Sequence, residues 1–75
     1  MSKDELFRRT FDAHAECQRA IAKRWPWDER ENARRRWVAL LDEIERNDWT
    51  GEYGEYYAER IGREKRYVRR QKKNY

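Results

Sequence analysis

Apolar residues in this chain recur at spacings of three and four, and no stretch alternates with a period of two for long enough to make a strand. The chain is therefore restricted to helices. Leu6, Phe7, Phe11, His14, Cys17, Ile21 and Trp25 mark one broad face of a first segment. Ala33, Trp37, Leu40, Leu41 and Ile44 mark a second, and Tyr53, Tyr57, Ile61 and Val68 a third. Ser2-Lys3-Asp4-Glu5 reads as a capping box opening the first helix, with Met1 and Leu6 placed as a hydrophobic staple. Pro26 ends that helix, because proline disfavours helical angles at Trp25 and has no N–H to donate. Asp28-Glu29-Arg30-Glu31 reads as the cap and first turn of the next, and Asn47-Asp48-Trp49-Thr50-Gly51 as its stop. The expected architecture is all-α and a single domain over 1–75. It is a small three-helix bundle, or a helical hairpin plus a third helix, with a basic C-terminal end. Helices are expected over roughly 3–24, 29–47 and 52–70, with a frayed tail at 71–75. Gly54 and Gly62 are the soft points of the third helix.

Leu, Ile, Val and Phe supply only 10 of the 75 residues, charged residues make up 45%, and mean hydropathy is −1.53. Such a balance points towards disorder. It is offset by 4 Trp and 5 Tyr, each able to bury a large apolar area. The core must still be thin, and small domains with thin cores often add a partner subunit, so a homo-oligomer or obligate partner is expected. No run is long enough to cross a membrane. Met1–Glu5 lacks an apolar signal segment, and the lone Cys17 cannot form an internal disulfide, so a cytoplasmic location is expected.

The formal charge of +4 is unevenly placed. Residues 1–59 carry 11 bases and 14 acids, whereas residues 60–75 carry eight bases and one acid, Glu64. At about 100° per residue, Arg63, Arg66, Arg69, Arg70 and Lys73 fall within an arc of roughly 120° along about 15 Å of helix. Tyr57, Ile61 and Val68 lie on the opposite side. Such a stripe suits the phosphates of DNA or RNA, with Tyr56 and Tyr67 flanking it to stack on exposed bases. It also suits an acidic protein surface, or a solvated helix end favoured by the macrodipole. A second patch, Arg30 with Arg34-Arg35-Arg36, is less specific, because Glu31 stands four residues before Arg35.

Trp25-Pro26-Trp27-Asp28 sets two indoles around a proline at a helix corner. Either one or both cover the open end of the bundle, or Trp27, whose staple partner would be the polar Asn32, stands free as a docking knob. Trp37 is placed in the core. With Trp49, Tyr53 and Tyr56, Trp27 forms the candidate docking set for a protein partner. The small size and Arg/Trp richness resemble, in composition alone, accessory proteins of phages and mobile elements. That likeness implies an inhibitor or adaptor of a host or defence protein as the alternative function.

Catalytic signatures are missing. His14 and Cys17 are the only His and Cys, so a zinc site would need two carboxylates or a second chain, and a half-buried His beside a core Cys is expected instead. The three glycines lack the strand–loop–helix context of a phosphate loop. Apart from tyrosine, Ser2, Thr10 and Thr50 are the only hydroxyls, and Ser2 and Thr50 are placed as caps. The expectation is a non-enzymatic binding protein with no cofactor, whose basic third helix holds a polyanion.

Overall fold

Three helices follow one another through short turns: α1 (Lys3–Ala22), α2 (Trp27–Arg46) and α3 (Thr50–Lys73). The structure is a computed structural model and describes the backbone of residues 1–73 and the side chains of residues 1–63. No strand occurs among the described residues.

At the start of α1 the Ser2 backbone is extended, with φ −71° and ψ 160°, and its hydroxyl accepts from the Glu5 N–H at 3.2 Å. The cap is therefore as expected. The reciprocal half of the box is not formed, since the Glu5 carboxylate accepts from Arg9 at 2.8 Å. Of the other acid–base pairs the spacing suggests, Glu31–Arg35 forms at 3.6 Å. Asp4–Arg8 and Asp42–Arg46 do not come within ion-pair distance.

Both turns use one device. After α1, Arg24 takes the left-handed conformation at φ 55°, its N–H donates to the Ile21 carbonyl, and the Trp25 N–H donates to the Ala20 carbonyl at 2.9 Å. After α2, Asp48 does the same at φ 57°, with the Trp49 N–H donating to the Ile44 carbonyl at 3.0 Å. This is the Schellman closure, in which the last carbonyls find donors and the next side chain folds back on the helix end. Each turn is closed by the N–H of a tryptophan, and the Trp49 side chain then packs on the cluster that holds Ile44.

α2 begins two residues before the position read from its sequence. Pro26, at φ −52° and ψ 149°, is itself the cap residue, and its carbonyl accepts the Arg30 N–H at 3.1 Å. Asp28 is thus not a cap. It lies with Glu29 in the first turn, where negative charge still favours the helix dipole. Thr50, likewise placed as a cap, is the first residue of α3, and the Tyr53 N–H donates to the Trp49 carbonyl at 2.9 Å. The α3 backbone runs through Gly62 without a break and continues three residues past the expected end at Arg70. Residues 74–75 of the expected frayed tail lie outside the described residues.

α1 and α2 form an antiparallel hairpin and share by far the largest interface, while α3 touches each of them much less. Ala20 and Ala33, each 1% exposed, let the two backbones approach near the closed end. Thr10 is fully buried, and its hydroxyl is satisfied by donating to the Leu6 carbonyl at 2.7 Å. Near the open end Leu6, Phe7 and Ile44 form the core cluster, with Leu40, Trp49, Tyr53 and Tyr56 packed around it. The core is as thin as composition implies: six apolar residues and Thr10 are buried among the described residues. Trp37 and Leu41 are half-buried. Ile21, which the periodicity places on the core face, is 68% exposed. The facing pairs Leu6/Ile44, His14/Trp37 and Glu16/Arg36 fix the antiparallel register, and continuing it sets the solvated Arg30 opposite Ile21. The apolar α2 side chains nearest it, Trp27 and Trp37, line a groove beside it without covering it.

α3 is held by rings. Phe7 meets Trp49, Tyr53 and Tyr56 at centroid distances of 6.3, 5.4 and 5.6 Å, and Phe11 meets Tyr57 at 5.6 Å. His14 meets Tyr57 at 5.8 Å. Lys3 adds an ion pair to Glu52 at 2.5 Å. The radius of gyration is 14.6 Å, against about 11 Å for a compact chain of this length. The molecule measures 44 × 33 × 17 Å, the dimensions of a hairpin with a third helix laid across its open end.

Two opposite substitutions should both stabilise this fold. Arg24→Gly relieves a left-handed residue. Gly54→Ala adds a methyl where nothing lies within 4 Å on an exposed helix face. Each should add about 0.5–1 kcal/mol and raise the thermal midpoint by several degrees. A lower midpoint in a calorimetric scan would contradict the left-handed turn at Arg24 or the open helix face at Gly54.

Candidate functional site

The basic end of the chain begins at Arg60, and the first two of its bases behave differently. Arg60 points inward. Its guanidinium lies 4.5 Å from the Phe11 ring centroid and donates to the Tyr56 hydroxyl at 2.9 Å. A stacked guanidinium of this kind is part of the α1–α3 contact. Arg63, one turn on, is exposed, and its guanidinium meets the Glu59 carboxylate at 2.6 Å. That pair is open to water on both sides, so it is worth little and is readily exchanged for another anion. Arg66, Arg69, Arg70, Lys73 and Tyr67 belong to α3 by backbone, and their side chains lie outside the described residues. Helical spacing alone sets Tyr56 beside the basic stripe with a free ring. Instead it packs against Phe7 and Phe11 and stacks on Tyr53 at 6.2 Å. It is not free to stack on a base.

The candidate docking set is split by the fold. Trp49, Tyr53 and Tyr56 are half-buried against the core at one end of the hairpin. Trp27, 65% exposed, stands at the other end, about 33 Å away along α2 at 1.5 Å per residue. The four do not make one surface. Burial first, then the neighbouring Tyr57 and Tyr56, pushes the Tyr53 hydroxyl up to about 12. Tyr53 thus belongs to a structural joint and keeps its proton there.

The corner of the hairpin holds a feature that periodicity does not reveal. Ile21 and Trp27 are exposed there, and with Cys17 and Trp37 they line a groove of about 270 Å³ edged by Arg30, Glu31 and Arg34. The unmatched staple at Trp27 is the one sequence signal for it. Ile21 gives none, because its helical spacing matches the core. Burial, reinforced by Glu16, pushes the Cys17 thiol up, so it is a poor nucleophile. His14 faces Trp37 at 4.8 Å as part of the packing. Among the described residues no cluster of His, Cys, Asp and Glu could hold a metal.

The arginine triplet is occupied internally. Arg34 and Arg35 both reach Glu31, at 2.6 and 3.6 Å, and Arg36 bridges to Glu16 on α1 at 2.8 Å. The Arg34 hydrogen bond holds the Glu31 carboxyl below its usual range. No helix of the described residues is long and apolar enough to cross a membrane. No known protein family, curated protein or solved structure matches this chain. The residues themselves are therefore the guide to function.

The tyrosine joint gives a pH dependence with a fixed sign. A hydroxyl whose pKa is raised on folding contributes stability that is complete below the unfolded value near 10 and falls as pH rises towards about 12. Urea unfolding at pH 9 and pH 11.5 should show a steeper alkaline loss for the natural chain than for Tyr53→Phe. Equal losses would mean that the Tyr53 hydroxyl is not held in an apolar setting.

Proposed function

We propose that this is a small non-enzymatic binding protein whose third helix engages a polyanion, DNA or RNA, chiefly through phosphates. The supporting observation is the coincidence of charge and backbone. Residues 60–75 carry eight bases against one acid, and the helix containing all eight runs unbroken to Lys73. The hairpin contacts described for α3 come from its first three turns, through Glu52, Tyr53, Tyr56, Tyr57 and Arg60. By helical register, the arc of Arg63, Arg66, Arg69, Arg70 and Lys73 does not overlap Tyr53, Tyr56, Tyr57 or Arg60; Glu52 alone shares its angle, about five turns before Arg70. The hairpin therefore acts as the anchor and the basic arc as the ligand-facing surface. Arg60 belongs to the anchor.

Sequence-specific readout has no support, since phosphate contacts position a protein without reading bases. With Tyr56 packed inward, Tyr67 is the one remaining candidate for base stacking. The alternative, an inhibitor or adaptor docking through Trp27, Trp49, Tyr53 and Tyr56, loses support because three of the four rings face the core and the fourth lies at the far end. An acidic protein surface remains a competing ligand for the same arc, and salt dependence separates the two.

Five phosphate contacts should weaken binding between 50 and 200 mM salt about 500-fold for a duplex and about 130-fold for a single-stranded oligonucleotide. Fluorescence anisotropy would measure this. The triple reversal of Arg66, Arg69 and Arg70 to Glu should abolish binding while leaving the hairpin folded. A flat salt profile, or binding that survives the triple reversal, would refute the proposal.

A further inference from the structure

We infer that the corner of the α1–α2 hairpin is a homodimer interface, in which the groove and the exposed Trp27 of one copy pack against the same features of a second copy across a two-fold axis. Apolar surface comes first. Ile21 is 68% and Trp27 65% exposed, side by side around a groove of about 270 Å³ that also reaches Cys17 and Trp37. A projecting indole and a concave apolar wall on one patch are what a two-fold contact needs, because such a contact sets a surface against itself.

The edge of the groove fits the same occupant. It carries both signs of charge, Arg30 and Arg34 with Glu31 between them in sequence. With Glu31 already bridging Arg34 and Arg35, the rim sets no block of one sign against itself across a two-fold axis, whereas a rim of one sign would repel its own kind. Arg and Trp are also the side chains most enriched at interface hot spots.

The corner lies at the opposite end of the hairpin from the aromatic joint that holds α3, so this interface is independent of polyanion binding.

Sedimentation velocity on the full chain, nuclease-treated and kept in 0.5 M salt so that no nucleic acid bridges two copies, tests the inference. Between 1 and 100 µM the mass should rise from 9.5 kDa to twice that value. Trp27→Ser and Ile21→Glu should each raise the dissociation constant about tenfold or more. Both sites are exposed, so helicity by circular dichroism should not change. Maleimide labelling of Cys17 gives a readout that needs no variant: its rate should fall as protein concentration rises. A natural chain that stays monomeric at 100 µM would overturn the inference and leave the corner to a different protein. A dimer insensitive to both substitutions, or Cys17 labelling independent of concentration, would also overturn it.

Discussion

The position of α3 depends on one phenylalanine. Phe7 is 4% exposed and touches three rings from outside the α1–α2 interface: Trp49 from the second turn, and Tyr53 and Tyr56 from α3. Edge-to-face and tilted ring pairs add about 0.5–1.5 kcal/mol each beyond the area they bury. In a chain with so few aliphatic side chains, those pairs replace the leucine packing that usually joins a third helix to a hairpin. Phe11 extends the joint by one turn, with Tyr57 on one side and the Arg60 guanidinium on its face. The proposed polyanion surface inherits its place from this joint, since the helix that carries the bases is fixed to the hairpin through its first three turns.

The two turns place their tryptophans by the same geometry with opposite consequences. A left-handed residue, Arg24 or Asp48, closes the helix, and the N–H of the following tryptophan bonds back to its last turn. Trp49 thereby lands on Ile44 and Phe7 and completes the core. Trp25 is half-buried and lines a surface recess with Glu29, Asn32, Arg35 and Arg36 of α2, and the next indole, Trp27, is left outside. The open end of the hairpin is therefore closed by aromatic residues, while the corner presents them.

Local chemistry makes much of this legible. The Ser2 cap, the break at Pro26 and the turn around Asp48 follow from side-chain and backbone preferences that act within a few residues. The departures have other causes. Asp28 is a good cap residue, yet Pro26 already holds an extended backbone with a free carbonyl, so the helix starts earlier. Ile21 has core spacing, yet whether it is buried is decided by what α2 sets opposite, and that is Arg30. Tyr56 reads as a flank of the basic stripe because a helical wheel shows angle and not neighbours. The neighbours are Phe7, Phe11 and Arg60. The basic arc itself is a property of composition and register, so the sequence alone displays it.

Amide hydrogen exchange on the natural chain and on Phe7→Leu tests the central dependence most directly. The leucine keeps an apolar side chain in the hairpin core and removes the ring that three others meet. Protection should fall across Tyr53–Arg60 while the amides of α1 and α2 between Thr10 and Ile44 keep theirs. Unchanged protection in α3, or an equal loss through the hairpin, would show that α3 is held by something other than the Phe7 ring.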